Sequence, residues 1–186
     1  MLFRSSAALV AAAASRAVQV PGADGVRLRA FRVEARQDPP RAVAILVHGL
    51  FRGGLELEPP ANMFRRLGCE CWLLEQRGHG GSAATPLRFD DSQARDLVEV
   101  VRWMRTQPGK ERVPIVLFGV SIGSVAVLLA LPHLADIAGV VVDAPVEDLL
   151  ATARRMMTSE PPGTSRRPPF VEPWCSLRSE EHTSEL

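Results

Sequence analysis

The stretch that most constrains this chain is Phe118-Gly119-Val120-Ser121-Ile122-Gly123-Ser124, set between two apolar runs at 114–117 and 125–131. The runs predict a strand buried on both faces, a tight turn and a helix. The turn reads G-x-S-x-G, the pattern of a nucleophile elbow. A serine on so sharp a strand-to-helix turn has strained backbone angles, and its neighbours must be small where strand and helix crowd together. Gly119 and Gly123 meet that need because neither carries a Cβ. The turn lifts the Ser121 hydroxyl clear of the sheet. It also leaves the first amides of the helix without intrahelical partners, where an oxyanion could sit.

Several function classes fall away on bulk properties. With 186 residues, 46% of them hydrophobic, the chain suffices for one domain with a sizeable core. A net charge of +1 gives no electrostatic case for nucleic acid. Cys69, Cys71 and Cys175 show neither metal-ligand nor disulfide-framework spacing. Cys69 and Cys71 lie two apart in an apolar run, hence on one face of a strand, and read as small buried hydrophobes. Residues 114–135 carry no Asp, Glu, Lys or Arg. The glycine-serine turn splits them into a short strand and an ordinary helix, so no transmembrane helix is expected.

Residues 1–17 are alanine-rich, with Arg4 and Arg16 and no acidic residue. A secretory signal, an organellar transit peptide and a plain N-terminal helix all fit this composition. A cytoplasmic location is favoured, with export or an organelle left open. Residues 18–20 and 26–34 read as edge strands around the turn Pro21-Gly22-Ala23-Asp24-Gly25. Residues 43–47 form a continuous apolar run, a buried strand ending in His48-Gly49-Leu50. Pro59 and Pro60 start a helix that Gly68 ends. Residues 69–74 are the next strand, followed by the glycine-rich loop Glu75-Gln76-Arg77-Gly78-His79-Gly80-Gly81-Ser82. Residues 90–106 predict an amphipathic helix capped by Asp90 with Gln93 three residues on. Ala94, Leu97, Val98, Val101 and Met104 form its apolar stripe. Residues 137–142 are a further strand ending at Asp143.

Three motifs, each after a strand, now stand in order: His48-Gly49, Arg77-Gly78-His79-Gly80 with Ser82, and Gly119-Val120-Ser121-Ile122-Gly123. From about residue 26 to 149 the chain resembles the front of an α/β-hydrolase-fold serine hydrolase. More narrowly it is similar to the serine aminopeptidase S33/monoacylglycerol lipase-like branch. In that family the middle motif usually opens with aspartate where this chain has Glu75. The resemblance implies a mostly parallel α/β sheet flanked by helices, with no metal and no cofactor. The substrate it implies is a small-molecule, lipid or peptide acyl compound. It makes Ser121 the nucleophile and the amides of Leu50 and Ile122 the oxyanion hole. His48 reads as a histidine tying down its loop, and His79 as structural, because the triad histidine follows the serine in chain order. Asp143 is the lesser candidate for the triad acid. In most of the family the acid follows the next strand.

A triad needs a histidine after the serine. His133 lies about a dozen residues on, roughly 15–18 Å away at helical rise, too far to bond Ser121. His182 falls in Arg178-Ser179-Glu180-Glu181-His182-Thr183-Ser184-Glu185-Leu186, which resembles the translation of a common sequencing-library adapter. The expected organisation is therefore an N-terminal segment at 1–17, an α/β-hydrolase core at 18–149 lacking its last strands, the start of a cap or a disordered stretch at 150–177, and an adapter-derived tail at 178–186. Without a base Ser121 is a poor nucleophile. The expectation is a hydrolase whose histidine and acid lie beyond this chain, the chain itself being inactive. Acyl transfer and a non-catalytic binding role are the alternatives.

Overall fold

The apolar runs pair into one six-stranded sheet. The computed structural model describes residues 17–146 except 51, 87 and 89. Its strands are β1 (Ala17–Pro21), β2 (Arg27–Val33), β3 (Ala42–Val47), β4 (Cys69–Leu74), β5 (Ile115–Val120) and β6 (Ile137–Asp143). The helices are α1 (Glu58–Arg66), α2 (Ser92–Arg105) and α3 (Ile122–Ala130). Spatial order is β1-β2-β4-β3-β5-β6. β1 to β2 and β2 to β4 pair antiparallel, and the remaining three pairings are parallel.

β3 is buried along its whole length, and its two faces feed two cores. Val43, Ile45 and Val47 pack with Leu97, Val101 and Met104 of α2 and with Ala126 and Val127 of α3. Ala44 and Leu46 pack with Leu57, Ala61, Cys71 and Leu73 on the α1 side. The period of two that separates the faces explains why β3 reads as unbroken apolar sequence. All five residues of the expected α2 stripe are buried.

Two expectations need correction. Residues 26–34 are not an edge strand, since β2 is hydrogen-bonded on both sides, to β1 and to β4. Two of its arginines are accommodated there by carboxylates of β4 and of the loop that follows it. Arg29 meets Glu75 at 2.7 Å and Arg32 meets Glu70 at 2.8 Å. The capping of α2 also differs. Asp90 Oδ1 accepts from the Ser92 amide at 2.9 Å, but Gln93 Nε2 reaches back to the Arg88 carbonyl at 2.8 Å, not to Asp90.

The chain goes from β3 outward to β4, then returns across β3 to β5. The loops leaving β3 and β5 therefore face each other at the carboxyl end of the sheet, where open α/β sheets place their ligands. Segments 1–16 and 147–186 lie outside the described residues, and with them nearly all of the N-terminal segment, the stretch expected as a cap or disordered, Cys175 and His182. Among the described residues, no helix is long and apolar enough to cross a membrane.

Candidate functional site

Ser121 stands between the last residue of β5 and the first of α3, at φ 55° and ψ −122°. That conformation is uncommon for any residue with a side chain and stores strain of order 1–3 kcal/mol. The surroundings hold it in place. The Ser121 amide donates to the Asp143 carbonyl at 2.9 Å, and its own carbonyl accepts from the Ser124 amide at 2.9 Å. Ser124, fully buried, has its hydroxyl 2.8 Å from the Gly119 carbonyl and 3.0 Å from that of Asp143. Its single proton serves one of the two at a time. The Ser121 side chain is half-buried, and its hydroxyl has no hydrogen-bond partner among the described residues.

The two glycines of the motif are required by crowding. A Cβ on Gly119 would lie 2.6 Å from the Gly123 carbonyl carbon and 2.7 Å from the Ser124 nitrogen. A Cβ on Gly123 would lie 2.6 Å from the His48 carbonyl oxygen. The start of α3 thus presses directly on the end of β3. Gly49 stands beside the serine, where an added Cβ would be 3.4 Å from Ser121 Cβ and 3.6 Å from the Val120 carbonyl. Leu50 follows in the same loop. Ile122, buried, opens α3, and its amide is one of those an α-helix leaves without an intrahelical partner.

His48 is 1% exposed, and both ring nitrogens are engaged. Nδ1 lies 2.6 Å from the Gly49 carbonyl, and Nε2 lies 3.1 Å from the Gln76 amide. A carbonyl can only accept and an amide N–H only donates, so Nδ1 carries the proton and Nε2 is bare. Burial pushes the His48 pKa down, against the opposing pull of the Gly49 carbonyl. The ring is a fixed neutral strut for its loop. His79 packs edge-on against it with centroids 4.9 Å apart, and its Nδ1 lies 3.1 Å from the Arg77 carbonyl.

The middle motif is a knot of buried charge. Arg77 forms a forked pair with Asp96 of α2, Nε to Oδ2 at 2.7 Å and Nη2 to Oδ1 at 2.6 Å. Asp96 Oδ1 also accepts from the Ala23 amide at 2.8 Å. The hydrogen bond to Asp96 raises the Arg77 pKa further. Glu75 gathers three segments: Arg29 of β2, the Gly81 amide at 2.8 Å and the Gly54 amide at 3.4 Å. Burial alone would push its carboxyl up. Arg29 and the two amides outweigh that and hold it below the ordinary value of 4.5. Gly78 and Gly80 turn the loop at φ 74° and 54°. A Cβ on Gly80 would overlap the Glu75 carboxylate.

Of the other expected residues, Asp143 ends β6 with its side chain exposed, and its backbone carbonyl is what touches the elbow. His133 lies in a 3-10 turn beyond the far end of α3. It lines a cleft of about 920 Å³ with Arg105, Arg112 and Ile137, at the opposite end of the sheet from Ser121. Burial raises the Cys71 thiol to about 12. Among the described residues no group of His, Cys, Asp and Glu side chains is arranged to hold a metal ion. Asp96, Gln76 and Ser124 were not singled out by sequence. Only Asp96 carried a signal, as a charge one position before the apolar stripe residue Leu97.

A sequence profile of the alpha/beta hydrolase family matches residues 44–182, three-quarters of the chain. The chain belongs to the alpha/beta hydrolase family. Solved structures agree on the fold. An esterase of Pyrococcus furiosus is 21% identical at a TM-score of 0.66, over 78% of this chain and 55% of that one. The alpha/beta hydrolase GrgF from Penicillium sp. sh18 is 26% identical at 0.63, over 76% and 53%. An esterase from Exiguobacterium antarcticum is 17% identical at 0.58, over 70% and 46%. This alpha/beta hydrolase thus spans about half the length of the solved structures it matches. No curated protein sequence matches it.

Proposed function

We propose that this alpha/beta hydrolase carries the nucleophile and oxyanion half of a serine hydrolase that cleaves an ester, thioester or amide through an acyl-enzyme. The observation that carries the reading is Ser121 at φ 55° on the strand-to-helix turn, with Gly49 of the β3 loop against its Cβ. Strain is kept where it serves a purpose. Here it presents a hydroxyl at the carboxyl end of the sheet, beside two loops that can each offer an amide. In this reading Ser121 Oγ attacks the acyl carbon, and the amides of Leu50 and Ile122 receive the charge that develops on the carbonyl oxygen. His48 is excluded as base because both its nitrogens are already engaged, Nδ1 by the Gly49 carbonyl and Nε2 by the Gln76 amide.

The base and the acid, in this proposal, come from outside the described residues. Asp143 is the lesser reading for the acid. Among the described residues no side chain is placed as a base for Ser121, and a serine without one hydrolyses poorly. Within the family, the Arg77-Gly78-His79-Gly80 loop with Ser82 favours, in this reading, the serine aminopeptidase S33/monoacylglycerol lipase-like branch. The substrate is then a small acyl compound, lipid or peptide.

The test is a fluorophosphonate probe applied to the whole protein. Labelling at Ser121 that is lost in Ser121→Ala supports the serine hydrolase. Absence of labelling, or equal labelling of the variant, favours a binding role for the same fold. Product analysis with a competing alcohol acceptor separates hydrolysis from acyl transfer.

A further inference from the structure

Gln76 makes two different bonds to one residue. Its backbone amide donates to His48 Nε2 at 3.1 Å, and its side-chain Nε2 donates to the His48 carbonyl at 2.7 Å. That carbonyl is also one of the backbone atoms that a Cβ on Gly123 would strike, at 2.6 Å. Gln76 is 4% exposed, and its Oε1 is buried without a hydrogen-bond partner among the described residues. A methionine of the same length would bury as well without stranding an acceptor. What a glutamine adds is a donor aimed at the His48 carbonyl.

We propose that Gln76 is a positioning residue. Its side-chain amide holds the His48 carbonyl, and through it the Gly49–Leu50 segment, at a set distance from the Ser121 elbow. The strut runs from the end of β4, through the end of β3, to the first turn of α3. The backbone bond to Nε2 orients the ring, whose Nδ1 proton bonds the Gly49 carbonyl and closes the loop on itself. The side-chain bond sets where that closed loop stands. As a device for catalysis this rests on the serine hydrolase reading. As a mechanical link it does not.

The experiment measures backbone order by NMR on the full chain. In the unsubstituted protein Gly49 and Leu50 should show order parameters near those of rigid backbone, about 0.85. Gln76→Met should drop both below about 0.6 while Ile45 and Leu117, in the strands on either side, keep theirs. The hydrogen on the residue 76 amide should exchange at least tenfold faster. Should Gln76→Met fail to fold, Gln76→Glu has the same shape and turns a carboxylate toward the His48 carbonyl, and it must give the same selective loss. Unchanged order at Gly49 and Leu50 overturns the proposal, and so does loss of order spread over β3 and β5. Fluorophosphonate labelling of the whole protein is read separately. If labelling occurs, Gln76→Met should slow it at least tenfold with the melting temperature nearly unchanged. If the unsubstituted protein is not labelled, the serine reading falls while the order parameters still decide the strut.

Discussion

The backbone carbonyl of Asp143 accepts the amide hydrogen of Ser121 at 2.9 Å. The last described strand thereby fixes the elbow through its main chain, leaving the Asp143 carboxylate outside the contact. The Ser124 hydroxyl reaches the same carbonyl at 3.0 Å. The Ser121 amide bond holds a residue whose own backbone preference would release it, and the Ser124 hydroxyl can turn its single proton to the same oxygen.

The strain at Ser121 should be visible in stability. Glycine occupies φ 55° without penalty, so Ser121→Gly should stabilise the fold by about 1 kcal/mol after the entropy of the unfolded chain is subtracted. Ser121→Ala keeps the Cβ and should bring no such gain. Urea unfolding of the two variants checks this, and a glycine variant weaker than the alanine one would refute the strain.

Gly123→Ala should destabilise by about 3 kcal/mol. The new methyl would meet the backbone of Val47 and His48, and backbone yields less readily than a side chain. Gly25→Ala, where nothing lies within 4 Å but φ is +73°, serves as the comparison, costing only about 1 kcal/mol. Equal losses from the two would mean that the methyl at 123 costs no more than a strained φ does at 25, and would refute the crowding.

Asp96→Ala leaves the Arg77 guanidinium buried without its fork and should cost about 3–5 kcal/mol. Removing both partners, as Arg77→Met with Asp96→Leu, should recover more than half of that loss, because no charge is then stranded. A double-mutant cycle in thermal or urea unfolding measures the coupling. Additive losses would show that the pair is not a unit.

Stability should fall in two stages on acidification. The His48 pKa is depressed by burial below its ordinary 6.5. Below 6.5 the unfolded chain takes up a proton that the native ring refuses, so stability is full above that pH and declines beneath it. The native pKa of Glu75 lies below the ordinary 4.5. Glu70 is treated alike, since Arg32, Lys110 and Trp72 overcome its burial. Their contribution is present above 4.5 and is lost as the pH falls through their lower native values. Unfolding free energies across pH 7 to 3 should show both declines. His48→Gln should flatten the first alone, and an unaltered upper slope in that variant would remove His48 as its source.

Most strands were legible because each is a run of apolar residues bounded by glycine or proline. The tight strand-to-helix turn was legible because crowding leaves few residue choices at 119 and 123. The polar ties were not. Asp96 and Ala23 are 73 residues apart, and Arg77 and Asp96 are 19 apart, so nothing local announces that they meet. β2 read as an edge strand beside the turn at 21–25, yet it pairs on both sides, and Glu70 of β4 and Glu75 just past its end each meet one of its arginines. Gln76 looked like one more polar loop residue, since its partner is a backbone carbonyl, which any sequence supplies.

The spacing between β3 and α3 is set by a missing methyl group at Gly123. No rotamer elsewhere can make room for one, because the atoms it would strike belong to the main chain. A lesion at that position should therefore have no side-chain suppressor. Revertants selected from a Gly123→Ala library should recover by restoring glycine, and compensating changes in the neighbouring core should be absent among them.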